Sequence, residues 1–143
     1  MKEQLVSYKL AKLLKQKGFN LPLYEYYSIN EKLYIHQYLK YNWNSPDSNR
    51  INDHHKDRCL APTLSLAAKW LREEHGRHII TIPTVTSDYT FKVIRVLCKK
   101  DFDKDGMVLV DTEQPPYRKV DASDYNTHEE ALSKAIYETL DLI

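Results

Sequence analysis

The amino-acid sequence predicts an α+β protein, with an antiparallel sheet of about four to six strands and three helices packed against it. Apolar residues recur at helical spacing in three segments, and β-branched and aromatic residues dominate several others. Turn residues separate the two kinds of segment, which gives the order α-ββ-α-βββ(β)-α. The 143 residues, 42% hydrophobic and 29% charged, fit one globular domain over residues 1–143.

The first part of the chain predicts a helix followed by a hairpin. Glu3–Lys17 carries an apolar face, and Gly18 is suited to end a helix. Tyr24–Tyr27 and Leu33–Leu39 are rich in residues that favour strands, with turn-forming residues between them. The polar segment Asn42–Asp57 then predicts a loop that is long for a compact domain.

The central segment Ala61–Gly76 predicts one complete amphipathic helix. Pro62 and Thr63 suit its start, and Gly76 suits the left-handed residue that ends it. Four apolar residues follow the spacing of one helical face: Leu64, Ala67, Ala68 and Leu71. Such a helix belongs in a core, and we expect Trp70 and Leu71 to pack beside Leu132 and Ile136.

The remaining chain predicts strands and a last helix. The predicted strands are Arg77–Val85, Tyr89–Cys98, Met107–Asp111 after the turn Asp105-Gly106, and a short edge strand at Arg118–Val120. The last helix opens with a capping box, in which Thr127 and Glu130 satisfy backbone N–H groups reciprocally.

Three blocks of sequence carry a family resemblance. They are Leu13–Phe19 (LLKQKGF), Ala61–Gly76 (APTLSLAAKWLREEHG) and His128–Ile143 (HEEALSKAIYETLDLI). Together they resemble a family of small uncharacterised proteins encoded in phages, prophages and other mobile elements of Bacteroides-like bacteria. The resemblance implies a mobile-element protein and no particular activity, and it does not extend to the loop Asn42–Asp57.

Aromatic residues are concentrated in and after the predicted hairpin. The candidate interaction residues are Tyr24, Tyr26, Tyr34, Tyr38, Tyr41 and Trp43. Three interpretations stay open: packing into the core, a protein interface, in which Tyr and Trp are enriched, and stacking on nucleic-acid bases beside Lys32, Lys40 and Arg50. Because several of these aromatics alternate at strand spacing, we expect about half to face the core.

The segment Asp101-Phe-Asp103-Lys-Asp105-Gly106 matches the start of a calcium-binding loop. Oxygen ligands stand at positions 1, 3 and 5, and glycine stands at position 6. Position 12 is Thr112 in place of the bidentate Glu, and the preceding segment reads as a strand. We therefore expect a solvated turn, with a weak calcium site at Asp101, Asp103 and Asp105 as the less favoured interpretation.

No catalytic residue can be singled out. The segment around His54, Asp57 and Cys59 contains residue types used in metal-dependent nucleases and activated thiols. However, adjacent histidines point in different directions, and the following helix offers few further ligands. We expect a polar surface loop there, no cofactor, and a protein that is not an enzyme.

Composition favours a cytoplasmic protein that acts by contact. The net charge of +1 argues against strong general attraction to nucleic acid, although five Lys against one Glu give residues 1–20 a local charge of +4. No apolar run approaches the roughly 20 residues of a membrane span. We expect an accessory protein with an unknown protein partner or self-association, and the alternative is weak nucleic-acid binding through the tyrosine-rich hairpin.

Overall fold

The structure is a computed structural model that describes residues 3–44, 57–85, 88–98, 101, 105, 117–119 (backbone) and 125–143. Its elements in chain order are α1 (Tyr8–Gln16), β1 (Glu25–Tyr27), β2 (Leu33–Ile35), β3 (Cys59–Leu60), α2 (Leu64–His75), β4 (Arg77–Pro83), β5 (Tyr89–Arg95), β6 (Tyr117–Lys119) and α3 (His128–Leu140). These helices and antiparallel strands confirm the α+β class.

Contacts divide the chain into two compact units, Met1–Thr63 and Leu64–Ile143. The described strands accordingly form two small antiparallel sheets, ordered β2-β1-β3 and β4-β5-β6. The prediction of one sheet covered by all three helices is therefore too simple, because strand propensity does not reveal which strands pair. The prediction of one domain over residues 1–143 stays a prediction.

Helix α1 begins later than predicted because the residues before it pair with another segment. The Ser7 side chain caps the helix by accepting a hydrogen bond from the Leu10 N–H at 3.3 Å. Immediately before this cap, Leu5 forms a bridge with Thr63 and the Val6 N–H donates to the Pro62 carbonyl at 2.9 Å. The apolar pattern that predicted a helix from Glu3 therefore includes residues that are extended rather than helical.

The predicted hairpin is present in the first unit. Strands β1 and β2 are antiparallel with Tyr26 opposite Tyr34, and β2 ends at Ile35, before the predicted end at Leu39. On its other side β1 pairs with β3, a two-residue strand that the sequence did not indicate. Helix α1 contributes buried Leu10, Ala11 and Leu14 to this unit.

The second unit begins with the helix that the sequence predicted best. Helix α2 buries Leu64, Ala67, Trp70 and Leu71, and Gly76 follows it with φ +62°. The Gly76 N–H donates to the Arg72 carbonyl at 3.1 Å, which closes the last turn. A Cβ at Gly76 would collide with the Arg95 guanidinium and the Val96 carbonyl, so both the conformation and the space require glycine.

The second sheet is built on β4 and β5, which pair along their full length from Arg77–Arg95 to Pro83–Tyr89. Helix α3 packs against these strands, where Phe91, Val93 and Ala135 form a buried cluster. Thr127 caps α3 as predicted, but the Glu130 carboxylate accepts from the Asn126 N–H at 3.2 Å, one residue before the cap. The predicted strand at Met107–Asp111 lies outside the described residues.

Candidate protein-interaction surface

Four aromatic residues form a contiguous aromatic cluster on one face of the first sheet: Tyr26, Tyr34, Tyr41 and Trp43. Tyr26 stacks on Tyr34 with ring centroids 5.6 Å apart, as expected for residues directly opposite on neighbouring strands. Trp43 lies 5.1 Å from Tyr26 and 4.4 Å from Tyr41. The Arg58 guanidinium covers the cluster, 4.2 Å from the Trp43 ring and 5.1 Å from the Tyr26 ring.

The six aromatic residues predicted as an interaction site therefore fall into two groups. Tyr26, Tyr41 and Trp43 are partly buried and pack on one another or on Arg58. The more exposed group consists of Tyr24, Tyr34 and Tyr38. The Lys40 ammonium lies over the Tyr24 ring at 5.5 Å, whereas the Tyr38 side chain is 83% exposed. None of the six is a buried core residue, and the expectation that about half face the core stays a prediction.

Strand β2 supplies an exposed apolar edge, of which the sequence pointed to Tyr34 alone as an interaction residue. We call Leu33, Tyr34 and Ile35 the hairpin edge, and all three are exposed, with Ile35 at 55%. Among the described strands, β2 pairs only with β1 and is the outer strand of its sheet. The available signal was the apolar pattern Leu-Tyr-Ile, but this pattern does not distinguish an edge strand from a central one.

Hydrogen bonds define which backbone groups of the hairpin edge face outward. The His36 N–H donates to the Tyr24 carbonyl at 2.7 Å, and the Lys32 carbonyl accepts from the Ser28 N–H at 3.0 Å. Positions 32 and 36 therefore face β1, and so does position 34 by the alternation of an antiparallel strand. The N–H and carbonyl groups of Leu33 and Ile35 consequently point away from the sheet.

The opposite face of the first sheet contacts helix α1. Tyr27 meets Tyr8 edge-to-face at 5.8 Å, and the Tyr27 hydroxyl donates to the Val6 carbonyl at 2.7 Å. The Lys15 ammonium donates to the Arg58 carbonyl at 2.6 Å, which ties α1 to the start of β3. These bonds position the side chains that line the space between α1 and β3.

The Asp101 carboxylate is bound by other residues of the protein, which the calcium interpretation did not predict. Its carboxylate accepts from the Arg95 guanidinium at 2.6 Å and from the Cys98 N–H at 2.7 Å. The hydrogen bond from Arg95 lowers the pKa of Asp101, against the opposing effect of burial. Asp105 is exposed, Asp103 lies outside the described residues, and calcium binding stays a prediction.

The thiol of Cys59 is not activated. The side chain is buried, and desolvation raises its pKa to about 11 although Lys15 and Lys12 oppose the shift. Asp57 is exposed, and His54 and His55 lie outside the described residues. The described part of this segment therefore offers a protonated thiol rather than a nucleophile.

Within the described ranges, no group of three or more His, Cys, Asp or Glu side chains is arranged to hold a metal ion. The described helices include none with the length and apolar character needed to cross a membrane. Comparisons with protein-family models, with curated proteins and with solved structures find no match to this chain.

Proposed function

We propose that this protein acts without catalysis through protein–protein contact, and that the hairpin edge pairs with the same edge of a second copy. The observation that carries the proposal is the outer strand β2, whose three residues are apolar and exposed. Unpaired edges of this kind are templates for another strand. The family resemblance adds that the assembly belongs to an accessory protein of a phage or other mobile element.

The hairpin edge is complementary to itself. Antiparallel pairing of two copies about Tyr34 places Leu33 of each chain opposite Ile35 of the other. The outward backbone groups of these two residues then form hydrogen-bonded pairs, and the two Tyr34 side chains become direct neighbours. At the next positions, Lys32 of each copy lies opposite His36 of the other. No two acids and no two lysines therefore lie directly opposite each other.

The surroundings of the hairpin edge extend the apolar surface. Ile29 in the turn and Tyr38 and Leu39 beyond β2 are exposed large side chains. An isologous contact uses each of these residues twice, once on each copy, which doubles the apolar area that a short strand can bury. Because the strand has only three residues, we expect a reversible dimer with a dissociation constant in the micromolar range, ~10⁻⁶–10⁻⁴ M.

Sedimentation equilibrium over protein concentrations of ~1–300 µM, spanning that range, tests the proposal. The wild type should pass from monomer to dimer, and Ile35→Lys should remain a monomer because it places a charge opposite Leu33 of the other copy. Val85→Lys is the matched control, since Val85 is a fully exposed apolar residue of the other unit. A wild type that stays monomeric throughout, or a dimer that Ile35→Lys leaves intact, would overturn the proposal.

Weak nucleic-acid binding is the alternative function, and the geometry favours it less. Stacking on bases needs accessible ring faces, whereas Tyr26 and Trp43 already contact other rings and Arg58. A gel shift at ~50 mM salt that Tyr38→Ala abolishes would support this alternative. The absence of any shift under those conditions would eliminate it.

A further inference from the structure

A cavity of about 460 Å³ lies in the first unit between α1 and the start of β3. Helix α1 lines it with residues at i, i+4, i+7 and i+8, which form one continuous stripe: Tyr8, Lys12, Lys15 and Gln16. The remaining lining residues are Ile29, Asp57, Arg58 and Cys59. A cavity of this size falls in the range of ordinary small-molecule sites, ~300–1,000 Å³.

The charges around the cavity favour an anion. Lys12 and Lys15 stand almost one helical turn apart, and Asp57 is the one carboxylate among the lining residues that the structure describes. The guanidinium of Arg58 stacks on the aromatic cluster, so we count its backbone rather than its charge toward the cavity. Cys59 adds no negative charge near neutral pH, because its pKa is raised to about 11. The balance of these groups is one positive charge.

The Lys15 ammonium has a backbone hydrogen-bond partner beside the cavity. It donates to the Arg58 carbonyl at 2.6 Å, and this hydrogen bond places the charge beside the residue that precedes β3. Lys12 is exposed, and its ammonium lies 5.5 Å from the centre of the Tyr8 ring. One cation is therefore hydrogen-bonded to the backbone, whereas the other is exposed to solvent beside the Tyr8 ring.

The same cavity also has apolar walls, which an inorganic ion cannot contact favourably. The Tyr8 ring, the Ile29 side chain and the buried Cys59 thiol line it together with the two lysines. Sites that bind small molecules commonly combine such apolar surface with a few charged or polar groups that fix orientation. This combination matches a ligand with a charged end and an apolar body.

We propose that this basic cavity, defined by Tyr8, Lys12, Lys15, Ile29 and Cys59, binds a small organic anion that carries a phosphate or carboxylate on an aromatic or aliphatic group. The lysines neutralise the acid group, and the apolar body lies against Tyr8 and Ile29. None of its lining residues belongs to the hairpin edge, and Ile29 is the lining residue that it shares with the apolar surroundings of that edge, so the site does not require the proposed dimer.

Four probes separate the contributions of charge and apolar surface: phenyl phosphate, benzoate, inorganic phosphate and phenol. Each is titrated into the full chain while amide chemical shifts are recorded. We expect saturable shifts of residues 8–16 and 57–59 with phenyl phosphate or benzoate, and weaker binding of inorganic phosphate and phenol. A preference between the first two distinguishes phosphate from carboxylate ligands.

Lys12→Gln should weaken binding of the preferred probe by about two- to fivefold, the range of an exposed ion pair. Lys9→Gln is the matched control, because Lys9 is a lysine of the same helix that does not line the cavity. Burial lowers the pKa of Lys15. As the pH rises, Lys15 should therefore lose its positive charge before an ordinary lysine does, and the affinity for the probe should decline at that lower pH.

Three results would overturn the proposal: no saturable binding at ~10 mM probe, well above the weak millimolar range; inorganic phosphate binding as tightly as phenyl phosphate and benzoate; or an equal loss in Lys9→Gln. Repeating the titration on Ile35→Lys separates this proposal from the proposed function. Probe binding by that monomeric variant supports the cavity whatever the oligomeric state of the wild type.

Discussion

Replacement of Asp101 by Asn tests the ion pair that joins the end of β5 to the following segment. Asp101 is 3% exposed, and its carboxylate accepts from both Arg95 and the Cys98 N–H. Breaking a buried ion pair costs ~3–5 kcal/mol of unfolding free energy. The Arg95 side chain, however, is 33% exposed and regains water, and Asn keeps one oxygen that can accept from Cys98. We therefore expect a loss of ~1.5–3 kcal/mol at pH 7.

The pH dependence of this loss makes the test specific. The pKa of Asp101 is lowered in the folded state, first of all by the hydrogen bond from Arg95. Its stabilisation is thus complete above the unfolded carboxyl pKa of about 4 and is lost as the pH falls through the lower folded value. Wild type and Asp101→Asn should therefore converge in stability toward pH 2–3, below that value of about 4.

Urea unfolding followed by circular dichroism measures both effects. Asp141→Asn provides the control, because it removes an acid that is exposed at the end of α3. A stability difference between wild type and Asp101→Asn that is absent at pH 7, or that has the same size at pH 3, would refute the ion-pair argument.

Three further predictions concern the core, the thiol and calcium. Leu71→Ala should cost ~2–5 kcal/mol in the same urea assay because Leu71 is fully buried, and an unchanged melting temperature would show that α2 is not a core helix. Iodoacetamide at pH 8 should alkylate Cys59 at least roughly 100-fold more slowly in the folded protein than in urea, because a pKa of about 11 leaves little thiolate. Peptide mass spectrometry measures the two rates, and equal rates would contradict this prediction. Calcium at ~10 mM should leave the melting temperature unchanged, since Arg95 and Cys98 already engage the Asp101 carboxylate, whereas a rise that Asp103→Ala removes would revive the calcium site.

Local patterns in the sequence predicted the elements that local interactions define. The apolar spacing around Leu64 and Leu71 and the terminating Gly76 give nearly the observed bounds of α2. The Thr127 cap likewise marks the start of α3. Each of these signals depends only on residues that lie close together in the sequence. They can therefore be recognised without knowledge of the tertiary structure.

Features that depend on distant residues were not predictable in the same way. The start of α1 is delayed because Leu5 and Val6 pair with Pro62 and Thr63, and the two-residue strand β3 is too short to show a period. The alternation of side chains along β1 and β2 predicts that Tyr26 and Tyr34 share one face of the sheet. It does not predict which residues pack on that face. The cover comes partly from Arg58, more than twenty residues away in the sequence.

The single residue between α2 and β4 restricts how this part of the chain can change length. His75 ends the helix and Arg77 starts the strand, so Gly76 is the whole connection. One inserted residue would turn the helix by about 100° relative to the strand, or would exchange the two faces of β4. Insertions and deletions at this junction should therefore be far less acceptable than substitutions on the exposed surface of either element, and natural variants should keep its length constant.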